Sequence, residues 1–184
     1  MSIEQKLMTA DELLNLPRGR ARHELVRGEL RIAPLATIAE ARLAMEIGGS
    51  LHRHAEANAL GTVVTGAGFL IAVDPDTVRA PDVAFVRRER LSSVELEEGY
   101  FPGPPDLVVE IVARDDLYLD VMDKVAEWLE HGTQLVFVVD PKSRTVAIHR
   151  PGPWFRRLGL SGVLDGEDVV PGWRLTVRDL FGLR

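Results

Sequence analysis

Three segments decide how this chain is read: Ala80-Pro81-Asp82-Val83, then Pro105-Asp106-Leu107-Val108-Val109-Glu110-Ile111-Val112, then Asp120-Val121-Met122-Asp123-Lys124. Leu107 to Val112 is a continuous aliphatic run interrupted only by Glu110, the pattern of a central strand covered on both faces. A carboxylate in such a run is costly unless it is paired, hydrogen-bonded or coordinated. Asp82 opens a second apolar run that reaches Val86, and the two runs are expected as adjacent strands. Mg²⁺ prefers oxygen ligands and keeps several waters, so one or two carboxylates suffice to hold it. Asp82 and Glu110 can supply that pair. Lys124 stands out because the chain has only three lysines, Lys6, Lys124 and Lys142, among its 22 basic residues. The helix that follows the Glu110 strand packs back over the sheet, which brings Lys124 towards the acids. Its spacing from Asp120 also allows an ordinary exposed i,i+4 ion pair.

Upstream, Thr9-Ala10-Asp11-Glu12 spells a capping box, with a short helix to about Asn15. His23-Glu24-Leu25-Val26-Arg27-Gly28-Glu29-Leu30-Arg31-Ile32 alternates around Gly28 and reads as two strands joined by a tight turn. On alternation alone Glu24 is a solvated strand residue. Ile38, Leu43, Ile47 and Leu51 recur at helical spacing from about residue 36 to 57, with Gly48-Gly49 allowing close packing or a bend. His52 and His54 are two apart, which puts them on different helix faces and on the surface. Thr62 to Thr65 and Phe69 to Val73 read as strands, and Asp74-Pro75-Asp76 as a turn. Gly66 and Gly68 lack the strand-to-helix context of a phosphate loop. Residues 87–103 read as an irregular surface loop bordering the site.

Downstream, Asp115-Asp116 is placed as the cap of a helix whose apolar stripe is Leu117, Val121, Val125 and Leu129 and which stops at Gly132. Leu135 to Val139 is a further buried strand, and Asp140-Pro141-Lys142-Ser143 a hairpin turn into residues 145–149. The tail carries Trp154, Phe155, Pro171-Gly172-Trp173 and a short helix ending at Phe181.

With 184 residues and 46% apolar content the chain suits one globular domain over residues 1–184. Its formal charge of −6 opposes a broad nucleic-acid-gripping surface, so DNA contact has to come from a local patch. There are no cysteines, which excludes disulfides and thiolate metal sites. No apolar run is long enough for a membrane span and no signal-peptide core is visible, so a cytoplasmic protein is expected.

Read in order, Met8-Thr9-Ala10-Asp11-Glu12, the segment from His23 to Glu29, Ala80-Pro81-Asp82-Val83, Pro105 to Glu110, Asp120 to Lys124, Val138-Val139-Asp140-Pro141 and Pro171-Gly172-Trp173 resemble the Uma2 family of restriction endonuclease-like proteins, within the PD-(D/E)xK nuclease superfamily. The resemblance spans nearly the whole chain. It implies an α/β (α+β) restriction endonuclease-like fold, with a mixed central β-sheet flanked by helices, and a site for Mg²⁺ or Mn²⁺. Asp82 matches the motif's first acid and Glu110 the second, both as metal ligands. Val112 occupies the slot where the motif's lysine stands, and Lys124 matches the lysine moved to the next helix. Glu24 matches the family's early glutamate and joins the catalytic set. The chain departs from the family at Ala113-Arg114-Asp115-Asp116 in place of a Ser-Pro-like pair, at Glu40 in place of a histidine, and at Trp128 in place of a tyrosine.

The expected function is a divalent-metal-dependent endonuclease that hydrolyses DNA phosphodiester bonds. The alternative is a catalytically silent restriction-endonuclease-like fold serving as a metal-binding or protein-interaction module. Self-association as a homodimer or higher homo-oligomer, through the β-rich C-terminal part, is a further expectation.

Overall fold

The structure, a computed structural model, describes residues 6–17, 21–91, 99–114, 116–153 and 155–183. It opens with α1 (Ala10–Leu14), started by the capping box that Thr9 and Glu12 spell. β1 (Ala21–Val26) and β2 (Glu29–Pro34) form the expected hairpin, turning at Arg27 and Gly28, both at positive φ. Position 28 requires glycine: φ is +78° and a Cβ there would lie 2.6 Å from Leu7 Cβ. α2 (Ile38–Ala57) begins with a second capping box, Thr37 with Glu40, that the periodicity of the sequence did not bring out. The Gly48-Gly49 pair leaves this helix continuous. Gly48 serves packing instead, since a Cβ there would stand 3.4 Å from both Val83 methyls.

The remaining elements are β3 (Gly61–Val64), β4 (Phe69–Ala72), β5 (Thr77–Arg79), β6 (Val83–Arg87), α3 (Arg88–Leu91), β7 (Phe101–Pro102), β8 (Leu107–Ile111), α4 (Tyr118–Glu130), β9 (Leu135–Asp140), β10 (Thr145–His149), β11 (Phe155–Leu158), β12 (Val163–Asp165), β13 (Arg174–Thr176) and α5 (Val177–Leu180). A mixed central sheet runs in the order β11-β10-β9-β8-β6-β3. Its β8 and β9 are parallel and its other neighbours antiparallel, so α4 is the crossover the parallel pair needs.

Period-two alternation divides the central strands between two cores. Val83, Phe85, Val109, Phe137 and Val139 face α2 and the C-terminal segment, where Leu43, Ile47, Leu51 and Trp173 close the first core. Ala84, Val86, Val108, Val136 and Val138 face Val121, Val125 and Trp128 of α4, together with Phe69 and Ile71 of β4. Each large apolar side chain buried this way is worth roughly 1.5–3 kcal/mol, and a one-residue slip would turn every one of them to the wrong side. Register is therefore fixed, and Glu110 shares the α4 face with Val108.

Several expectations change. The turn at Asp74-Pro75-Asp76 closes a hairpin, because Thr77–Arg79 pairs back on β4. With β1, β2 and β7 these strands make a second sheet, in the order β2-β1-β5-β4-β7. The expected mixed central sheet is present, and beside it stand this second sheet, whose β5 is too short at three residues to show a period, and a two-stranded sheet of β12 and β13. Asp116 does not cap α4: its Oδ2 accepts the Ala113 N–H at 2.8 Å, and the cap position is Leu117, with no side-chain bond. Asp115 and Trp154 lie outside the described residues, as do residues 92–98 of the expected loop. Leu117 is exposed, and the buried stripe of α4 is Val121, Val125 and Trp128. His52 is on the surface as expected, whereas His54 is half-buried with Nε2 2.9 Å from the Pro171 carbonyl. Among the described residues no helix is long and apolar enough to cross a membrane.

Candidate active site

β6 and β8 pair with Val83 opposite Val109 and Ala84 opposite Val108, so the next step places Asp82 across from Glu110. Cross-strand neighbours present their side chains on one face. Both acids therefore look towards α4 and the second sheet, into a cleft of about 1260 Å³ whose lining includes Arg22, Glu24, Arg79, Asp82, Glu110 and Lys124.

Each carboxylate is held on both oxygens. Asp82 Oδ2 accepts the Ile111 backbone N–H at 2.7 Å, and Oδ1 accepts from the Arg22 guanidinium at 3.0 Å. Glu110 Oε1 accepts the Trp128 indole N–H at 2.8 Å, and Oε2 accepts from Lys124 Nζ at 3.1 Å. Trp128 is itself locked, fully buried and edge-on to Phe69. Lys124 projects from α4 one turn before Trp128, and its Nζ also lies 3.2 Å from Glu24 Oε1. Glu24 accepts the Ala80 N–H at 3.1 Å and the Arg79 guanidinium at 2.8 Å. Arg79 then reaches on to Glu127 of α4. Removing one partner from such a buried pair costs about 3–5 kcal/mol, so these groups constrain one another.

The protonation states follow from the same contacts. Burial pushes the Glu24 carboxyl up, but Lys124, Arg79 and Arg22 outweigh it and hold the group below the usual carboxylate range. Glu110 goes the other way: burial, with Asp82 and Glu24 adding to it, raises its pKa against the pull of Lys124. Burial alone would lower Lys124, yet the two glutamates hold its ammonium in the charged form.

All four residues picked from the sequence, Glu24, Asp82, Glu110 and Lys124, converge on this cleft. Glu24 is only 4% exposed, which overturns its reading as a solvated strand residue. Lys124 points inward to the glutamates, and Asp120 is exposed on the cleft wall, so the surface i,i+4 pair is replaced by an internal one. Arg22, Arg79 and Glu127 were not anticipated. The one available signal was that Arg22 stands two residues before Glu24 in a strand and so shares its face. Nothing local marks Arg79, which follows from the unforeseen β5.

Among the described residues no three Asp, Glu or His side chains converge into a ready-made metal cage. The donor set does fit a small hard cation that keeps most of its water: two cross-strand carboxylates, each with one oxygen held only by a side-chain cation. The far wall of the cleft, on and before α4, adds Asp116, Asp120, Asp123 and Glu130, and the hairpin wall adds Arg27 and Arg31.

A family model described as "Uma2: Putative restriction endonuclease" matches residues 10–178. A crystal structure of a putative nuclease belonging to DUF820 from Anabaena variabilis superposes with a TM-score of 0.83, over 96% of this chain and 98% of that one. The two share 21% of their residues, so the likeness is one of fold. No curated protein matches the chain.

Proposed function

The chain belongs to the Uma2 family of restriction endonuclease-like proteins, and from that premise we propose that it is a divalent-metal-dependent nuclease hydrolysing DNA phosphodiester bonds within one domain. The observation that supports this reading most is the convergence, on one sheet face, of Asp82 and Glu110 from adjacent strands with the Lys124 ammonium beside them. Asp82 and Glu110 would hold Mg²⁺ or Mn²⁺. Bound there, the ion would activate water and offset phosphate charge.

The protein's own groups do the rest. The Ile111 N–H and the Trp128 indole aim the two carboxylates, so little reorganisation is left for the reaction. Lys124, kept charged by Glu110 and Glu24, presents a compact cation to the attacking water or the developing phosphorane charge. Glu24 fixes that ammonium from the second sheet, and Arg79 fixes Glu24. The burial of Glu24 and Glu110 strengthens these interactions. A cysteine-free protein acting on DNA fits the cytoplasm.

The test is cleavage of duplex and single-stranded DNA by purified protein with Mg²⁺ or Mn²⁺. Asp82→Asn and Glu110→Gln are expected to lose cleavage by roughly 100-fold or more while still melting cooperatively. Absence of metal-dependent cleavage in the wild type, or equal cleavage by both variants, would sink the reading. A second reading, a silent metal-binding or interaction module, is favoured by the acid-rich α4 wall, which repels a phosphate backbone. It predicts Mn²⁺ binding that depends on Glu110 without any cut DNA.

A further inference from the structure

The two proposed ligands share an unusual division of labour. Each has one oxygen on a donor that cannot move: Ile111 N–H within the strand ladder for Asp82, the buried Trp128 indole for Glu110. Each has its other oxygen on a long, flexible cation, Arg22 for Asp82 and Lys124 for Glu110. Both cations also lean on the same third acid. Lys124 Nζ is 3.2 Å from Glu24 Oε1, and Arg22 Nε is 3.9 Å from that same oxygen. Arg22 Nε is buried and has no hydrogen-bond partner among the described residues. Closing about 1 Å would give it one, since N–H···O bonds form near 2.9 Å. Glu24 is ready to receive it, fixed by the Ala80 N–H and by Arg79.

We propose that Arg22 is a displaceable resident cation: it occupies Asp82 Oδ1 until a divalent ion takes that oxygen, then swings onto Glu24. The inference rests on the reading of Asp82 and Glu110 as metal ligands. A guanidinium and a dication cannot share one carboxylate oxygen without strong repulsion, and Oδ1 is the oxygen whose present donor can leave. Arg22 has the freedom to leave, because its side chain is 30% exposed at the cleft. It is a positioning residue that sets metal affinity. Without the ion it keeps Asp82 compensated, and with the ion it removes its own orphaned N–H by pairing with Glu24.

The experiment is calorimetric titration of the full chain with Mn²⁺ alone, comparing wild type, Arg22→Gln, Arg31→Gln and Asp82→Asn. Arg31 lines the same cleft and pairs with Glu29, so its variant removes an equal charge without touching Asp82. Arg22→Gln should bind Mn²⁺ about three- to tenfold more tightly than wild type, the worth of a partly exposed charged hydrogen bond. Arg31→Gln should stay within about twofold, as expected for an exposed charge. Nitrogen-15 spectra of the arginine side chains give an independent readout, with the Arg22 Nε–H signal shifting on Mg²⁺ addition in wild type but not in Asp82→Asn. If Arg22→Gln binds no more tightly than Arg31→Gln, or the Nε–H signal stays put while Asp82→Asn abolishes binding, the displacement is wrong and the metal site survives. If wild-type binding does not depend on Asp82 at all, both fall.

Discussion

Two sheets meet at the cleft, and they hold their residues differently. The middle strands of the central sheet are buried on both faces, so Asp82 and Glu110 are aimed by groups that cannot move without breaking the ladder or the core. The second sheet ends in the β1–β2 hairpin, where β2 is exposed along nearly its whole length. Yet that hairpin supplies Glu24 and Arg22, and the neighbouring β5 supplies Arg79. The central sheet contributes two fixed carboxylates, and the second sheet contributes Arg22, a partly exposed cation at the cleft. The proposed metal site would use both: rigid ligands for geometry and a movable cation to compensate them when the ion is absent.

The contrast breaks most visibly at Trp128, where core packing and site chemistry coincide. Trp128→Phe loses the donor to Glu110 Oε1 and leaves a void beside Phe69. The expected destabilisation is about 2–4 kcal/mol, from a lost charged hydrogen bond and an unfilled volume together. Trp128→Tyr can return a hydroxyl donor and should lose less. Urea melts of the two variants measure the difference. If Phe and Tyr cost the same, the indole N–H is not what aims Glu110.

The central sheet was legible because its signals are local and redundant. An aliphatic run broken by a single acid names both the strand and its exceptional residue. The neighbouring apolar run opened by Asp82 gave the second acid, and the scarcity of lysine and the helix packing back over the sheet gave Lys124. The second sheet was not legible in the same way. Thr77-Val78-Arg79 is too short to show alternation, so Arg79 had no element to sit on. Glu24 lies in a clean alternating strand, where alternation predicts exposure. What buries it is the approach of α4 with Lys124, a tertiary contact across 100 residues. Only the resemblance to a family put it on the same cleft as Asp82, Glu110 and Lys124. The cap of α4 was misjudged for a different reason: Asp116 is a good capping residue, but its carboxylate turns back to the Ala113 N–H.

A smaller effect tests whether the central sheet rejects charge even near its rim. His149 ends β10, packs against Phe155, and has its Nε2 buried without a hydrogen-bond partner among the described residues. Burial lowers its pKa below the ordinary histidine value of 6.5. The unfolded chain then takes up this proton at a higher pH than the folded one. Stability from this residue is therefore complete above pH 6.5 and is lost as pH falls from there through the folded value. Denaturant melts between pH 8 and about 5.5 should show a downturn that His149→Phe removes. An identical pH profile in that variant would mean that the imidazole reaches a partner when charged.

The smallest effect is expected on the hairpin's outer face. Ile32 is 64% exposed at the middle of β2, an edge strand with no neighbour on its far side among the described residues. A side chain already in water loses little when shortened, so Ile32→Ala should change stability by no more than about 0.5 kcal/mol. That small change is the expectation for one chain alone. An edge strand offering unpaired backbone groups beside exposed Leu30 and Ile32 is also what a second copy could cover. A loss well above 0.5 kcal/mol, scaling with protein concentration, would mean that Ile32 is buried between copies. The hairpin would then be anchored after all, and the freedom assigned to Arg22 would have to be judged in the dimer.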